Sequence, residues 1–122
     1  MIQIYTTPSC ASCRKAKKWF DQYKIPYSEK NIFSIKLSKE DIFRMLANSE
    51  NGFDDIISTR SKVFKEKKLD PDNMSVQELI EFIIDYPSVL KRPIIINENE
   101  LQVGYNNEDI TISDITKYQE SN

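Results

Sequence analysis

Apolar residues stand two apart at the start of the chain, Ile2 and Ile4 with Tyr5-Thr6 behind them, and this short β-rich run stops at Thr7-Pro8-Ser9. From Cys13 to Tyr23 the spacing changes. Ala16, Trp19, Phe20 and Tyr23 recur three and four apart with charges between them, so the pattern predicts a helix with one buried face. Ile25-Pro26 breaks it, and the weak alternation of Tyr27 to Ile32 predicts a second strand. Ser38, three residues before Asp41, is close to a capping box and opens a helix carrying Ile42, Phe43, Met45 and Leu46 to about Asn48. Asn51-Gly52 marks a turn, and Phe53 to Phe64 reads as short helices joined by a polar loop at Ser58-Thr59-Arg60. Ser75 with Glu78 caps another helix, Val76 to Tyr86, whose stripe is Leu79, Phe82 and Ile83 and which Pro87 stops. Ile94-Ile95-Ile96, a turn at Asn97 to Glu100, and Leu101 to Gly104 predict a β-hairpin. Asp109 to Tyr118 is weakly amphipathic and Gln119 to Asn122 is a polar tail. This order is an α/β layout with helices on a small mixed sheet.

The length, 122 residues, suits one domain over residues 1–122, with a helical insertion at about 36–87 between the second strand and the hairpin. Seventeen basic side chains nearly balance nineteen acidic ones, and the net charge of −2 argues against strong independent DNA binding. The densest basic stretch, Arg14-Lys15-Ala16-Lys17-Lys18, spreads its charges around a helix axis and reads as solvated surface. Met1-Ile2-Gln3-Ile4-Tyr5 lacks the charged and apolar regions of a signal peptide, and no apolar run approaches a bilayer span; the expected location is the cytoplasm, without membrane attachment.

Histidine is absent, which removes imidazole base catalysis and imidazole metal ligands together. The two cysteines are Cys10 and Cys13, in Cys10-Ala11-Ser12-Cys13 where the first strand hands over to the first helix. Unpaired N–H groups and the positive end of the helix dipole stabilise a thiolate there, which makes Cys10, the outer residue, the better nucleophile. The three-residue spacing also allows the two sulfurs to be bridged without large backbone movement. Two other readings remain on residues alone: plain packing, or half of a zinc site, although only carboxylates are left to complete four ligands. No metal and no cofactor are expected.

Tyr5-Thr6-Thr7-Pro8-Ser9-Cys10-Ala11-Ser12-Cys13-Arg14-Lys15-Ala16, Ile57-Ser58-Thr59-Arg60-Ser61-Lys62, Arg92-Pro93-Ile94-Ile95-Ile96 and Leu101-Gln102-Val103-Gly104-Tyr105-Asn106 together resemble the Spx/arsenate reductase family. The likeness runs from Met1 to about Asp109. It implies a thioredoxin-like fold with an inserted helical region. It also implies a thiol-sensing transcription regulator, not an enzyme, that binds the C-terminal domain of the RNA polymerase α subunit under oxidative or disulfide stress. In this resemblance Cys10 and Cys13 are the redox pair whose oxidation favours activity, Gly52 matches the α-subunit contact, and Arg92 matches an arginine linked to the oxidised state. Arg60 and Lys62 match a basic loop, Pro93 the cis-proline that faces the cysteines, and the protein alone is a monomer. By themselves Gly52 reads as a turn residue and Arg60, Lys62 and Arg92 as surface charge.

The chain also departs from the pattern. Ile110-Thr111-Ile112-Ser113-Asp114-Ile115 replaces a Phe-Leu-Pro-Arg-like block and basic tail, which suits the shorter, MgsR-like stress-response paralogues, and Ala47 stands where some relatives carry a basic residue. Two rivals share the fold. An arsenate reductase would use Cys10 with Arg60 and Arg92 around an oxyanion, but Gly104-Tyr105-Asn106 lacks the third arginine of the reductases, which also generally lack a cysteine at the place of Cys13. A general thiol-disulfide oxidoreductase would use the Cys10–Cys13 couple, but Ala11-Ser12 is not the dipeptide of thioredoxins or glutaredoxins.

Overall fold

The computed structural model describes residues 1–105 and residue 110, and the described residues divide into two compact units, Met1–Asn31 with 92–105 and Ile110, and Ile32–Lys91. The first unit holds β1 (Ile2–Thr6), α1 (Ala11–Gln22), β2 (Tyr27–Asn31), β3 (Ile94–Asn97) and β4 (Glu100–Val103). Its sheet has the order β2-β1-β3-β4. β1 and β2 are parallel, Ile2 facing Tyr27 and Thr6 facing Asn31, so the link between them must cross back over the sheet, and α1 is that crossover. β3 runs antiparallel to β1 with Ile4 opposite Ile95, and β4 returns antiparallel through a tight turn in which Glu98 takes φ 49°.

The helical stripe of α1 seats this unit's core. Ala16, Trp19 and Phe20 are buried against Ile2, Ile4, Ile25 and Ile95, with Tyr105 and Ile110 in the same cluster. Phe20 is fully enclosed, edge-on to Trp19 at 5.4 Å and tilted against Tyr27 at 5.4 Å. Burial of such a ring stabilises the fold by about 2–3 kcal/mol. The helix ends in a Schellman motif: Lys24 takes φ 56°, the Ile25 N–H donates to the Phe20 carbonyl at 2.9 Å, and the Lys24 N–H donates to the Asp21 carbonyl at 3.2 Å. All four residues of β3 are buried, which explains its unbroken Ile94-Ile95-Ile96 run.

The second unit is helical: α2 (Lys39–Ala47), α3 (Phe53–Ile56), α4 (Lys62–Glu66) and α5 (Val76–Asp85), with 3₁₀ turns at Pro71–Asn73 and Pro87–Val89. Complete capping boxes open α2, through Ser38 and Asp41, and α5, through Ser75 and Glu78. The helix periods are as the pattern predicts, but not every apolar position in them is core. Phe43 is 53% exposed while Ile42 and Met45 are buried, and on α5 the buried third residue is Ile80 while Phe82 is half-buried against Tyr86. Each 3₁₀ turn begins with a proline, whose missing N–H suits the first position of a helical turn. The helix read at Asp109 to Tyr118 and the tail at Gln119 to Asn122 lie outside the described residues, apart from Ile110.

Candidate functional site

β1 ends at Thr6, and four residues later the chain enters α1 with Cys10 as its N-cap. This moves the helix start ahead of Cys13, where the apolar period first shows. Cys10 has extended backbone angles, φ −101° and ψ 109°, and its Sγ accepts the Cys13 N–H at 3.0 Å, a role usually taken by a serine or aspartate oxygen. The Cys10 carbonyl accepts the Arg14 N–H at 3.2 Å, beginning the helical ladder. Cys10 and Cys13 form a disulfide with Cα atoms 5.2 Å apart.

The two sulfurs differ in access. Cys13 is 1% exposed on the inward face of α1, whereas Cys10 is partly open to solvent. An attacking thiolate therefore reaches Cys10 first, and the first turn of α1 carries no carboxylate to oppose a thiolate at that position. Pro93, buried in the same unit, follows Arg92 through a cis peptide bond. Arg92 is half-buried, and burial pulls its pKa below the ordinary value.

A polar cluster ties this unit together beside the cysteine turn. Glu29 on β2 accepts the Thr6 hydroxyl at 2.7 Å and the Lys17 ammonium at 2.9 Å, both at Oε2. The Thr6 hydrogen bond, reinforced by Lys17 and opposed by burial, lowers the Glu29 pKa. Residues twenty-three apart in sequence meet here only through the parallel register of β1 and β2, and the pattern of residues did not disclose them.

The remaining candidates lie in the second unit. Gly52 precedes α3 with φ 64° and ψ −131°, a conformation open to glycine and strained for L-residues, and a Cβ there would meet nothing within 4 Å. The turn is held by Asp55, whose carboxylate accepts the Glu50 and Asn51 N–H groups, each at 2.9 Å, and the Asn51 amide at 3.2 Å. These bonds, those from Asn51 foremost, lower the Asp55 pKa. Sequence reasoning passed over Asp55; its signal is a carboxylate three residues after a glycine turn, at the start of a helix.

Arg60 and Lys62 are exposed, and Lys62 opens α4 with an i,i+4 contact to Glu66 at 3.6 Å. The loop is shaped by Ser61, which donates to the Ser58 carbonyl at 2.8 Å and accepts the Phe64 N–H at 3.3 Å. The structure thus joins Cys10 to Cys13 and places Arg92 and Pro93 in the same unit, with Gly52, Arg60 and Lys62 in the other. Among the described residues no group of three or more cysteine, aspartate or glutamate side chains is placed to hold a metal ion, and no helix is long and apolar enough to cross a membrane.

The family model for the ArsC family matches residues 5–112. The global transcriptional regulator Spx 1 of Bacillus cereus is 51% identical over 110 residues, covering 90% of this chain and 84% of that one. Spx of Bacillus subtilis is 49% identical over the same coverage. Among solved structures, a Streptococcus mutans protein described as a possible arsenate reductase matches 95% of this chain and 98% of its own with a TM-score of 0.79 at 23% identity, a likeness of fold. That fold is thioredoxin-like, with a mixed four-stranded sheet. With a family model spanning most of its length and regulators half identical across nine-tenths of it, the chain belongs to the Spx/arsenate reductase (ArsC) family.

Proposed function

We propose that this chain is a thiol-sensing transcription regulator that binds the C-terminal domain of the RNA polymerase α subunit when the Cys10–Cys13 pair is oxidised. The observation that carries the reading is the disulfide between an accessible N-cap cysteine and a buried partner one turn on. Oxidation by an external disulfide joins the two sulfurs and passes one hydrogen from each thiol to the external pair, leaving two external thiols; the reverse exchange restores both cysteine thiols and regenerates the external disulfide. The similarity to proteins named global transcriptional regulators supports the regulatory half of the reading. Gly52 is the proposed contact: its turn is set by Asp55, and the space beside its Cα is open, as a surface that receives another backbone requires.

Gly52 also supplies the test. Because its φ is positive, any L side chain brings strain of about 1–3 kcal/mol, so Gly52→Ala and Gly52→Arg should lose similar stability in urea denaturation. They should part in binding. Gly52→Arg should abolish capture of the purified α C-terminal domain, while Gly52→Ala retains most of it and both still cycle the disulfide. Equal binding by Gly52→Arg and the wild type would remove Gly52 from the interface.

A further inference from the structure

One carboxylate oxygen, Glu29 Oε2, receives both the Thr6 hydroxyl at 2.7 Å and the Lys17 ammonium at 2.9 Å. Thr6 is the last residue of β1 and Lys17 lies in the middle of α1, so the bonds grip both ends of the stretch that contains Cys10 and Cys13. The hydroxyl bond is structural, tying β1 to its parallel neighbour. The ammonium bond has a further consequence. Lys17 stands four residues after Cys13 on the same helix, and a long side chain at that position leans toward the helix N-terminus, over the turn that precedes it. Released from Glu29, its charge would be free to swing toward the N-terminal turn of α1, the end capped by Cys10, where the reduced couple carries its thiolate character.

We propose that Glu29 is a positioning residue for the Cys10–Cys13 couple: by fixing the Lys17 ammonium on β2 it withholds a positive charge from the thiolate and so favours the disulfide. The inference rests on the redox reading above. The equilibrium concerned is disulfide plus two glutathione thiols giving dithiol plus glutathione disulfide. A glutathione thiolate attacks Cys10 Sγ, the Cys10–Cys13 bond breaks and Cys13 leaves as thiolate. A second glutathione then attacks the glutathione sulfur of the mixed disulfide, releasing Cys10. A cation near either leaving thiolate draws this equilibrium toward the dithiol.

Four variants separate the charge from the scaffold. Glu29→Gln keeps an oxygen for the Thr6 hydroxyl but loses the charge that holds Lys17; Lys17→Met removes the cation; the double variant removes both; Thr6→Val removes the strand tie alone. Each is equilibrated in glutathione buffers at pH 7, thiol-trapped and quantified by mass. Glu29→Gln should shift the constant toward the dithiol by about three- to tenfold, tenfold corresponding to about 30 mV for a two-electron couple. Lys17→Met and the double variant should stay within about twofold of the wild type, and Thr6→Val should lower stability without moving the constant. A merely structural Glu29 would leave the constant unmoved, and that result, with the wild type cycling normally, overturns the inference alone. A Glu29→Gln shift that persists in the double variant also overturns it. If the wild type shows no two-electron couple, the redox reading falls and takes this inference with it.

Discussion

Cys10 and Cys13 are one motif in sequence and two environments in structure. Cys10 caps α1 and is partly exposed, whereas Cys13 is 1% exposed on the face packed into the core. In the reduced protein, Cys10 should therefore react with iodoacetamide on the order of tenfold faster than Cys13 at pH 7, read by peptide mass spectrometry of Cys10→Ser and Cys13→Ser variants. Equal rates would contradict the assigned order of attack. The motif was legible because cysteines three apart at a strand-helix junction are a strong pattern, but the role of Cys10 as the cap was not. A thiol lies outside the usual set of capping residues. Phe43 misled for a related reason: its place in the apolar run of α2 matched a core position, yet only the fold shows which face of a short helix is covered.

Elements were legible where period and punctuation agreed. The stripe of Ala16, Trp19 and Phe20 located α1, and the serine-acid pairs located α2 and α5. Phe20→Ala should cost about 3–5 kcal/mol in urea denaturation, because the emptied volume lies at the centre of the first unit's core. Ser75→Ala, on an exposed cap, should cost about 1 kcal/mol. The 3₁₀ turns at Pro71–Asn73 and Pro87–Val89 escaped notice because three residues carry no period. Glu29 adds a pH dependence at the join of β1, β2 and α1. Its pKa is held below the ordinary 4.5, so its contribution is complete above about pH 4.5 and is lost as pH falls through the lowered folded value. The stability of Glu29→Gln should accordingly fall less steeply than that of the wild type below pH 4.5; parallel profiles would contradict this.

Across the molecule, the strand-helix-strand order at the start of the chain already pointed to a mixed sheet, but the order β2-β1-β3-β4 and the register of β2 against β1 were not legible, because alternation in Tyr27 to Ile32 is weak. The Thr6–Glu29–Lys17 cluster depends on that register, and so it was hidden until the strands were paired. The same holds for the division into a unit that carries the cysteine pair and a helical unit that carries Gly52. The proposed function requires that a change at one sulfur bond become a change in partner affinity, and that conversion is the central claim. It is tested most directly by titrating the purified α C-terminal domain of RNA polymerase into the fully oxidised and the fully reduced chain in parallel by calorimetry. The account predicts one-to-one binding that is tighter for the oxidised chain by tenfold or so, a difference of about 1.4 kcal/mol, and that is lost in Cys10→Ser. Equal affinity in the two states, or no binding in either while the chain turns over arsenate with glutathione, would contradict it.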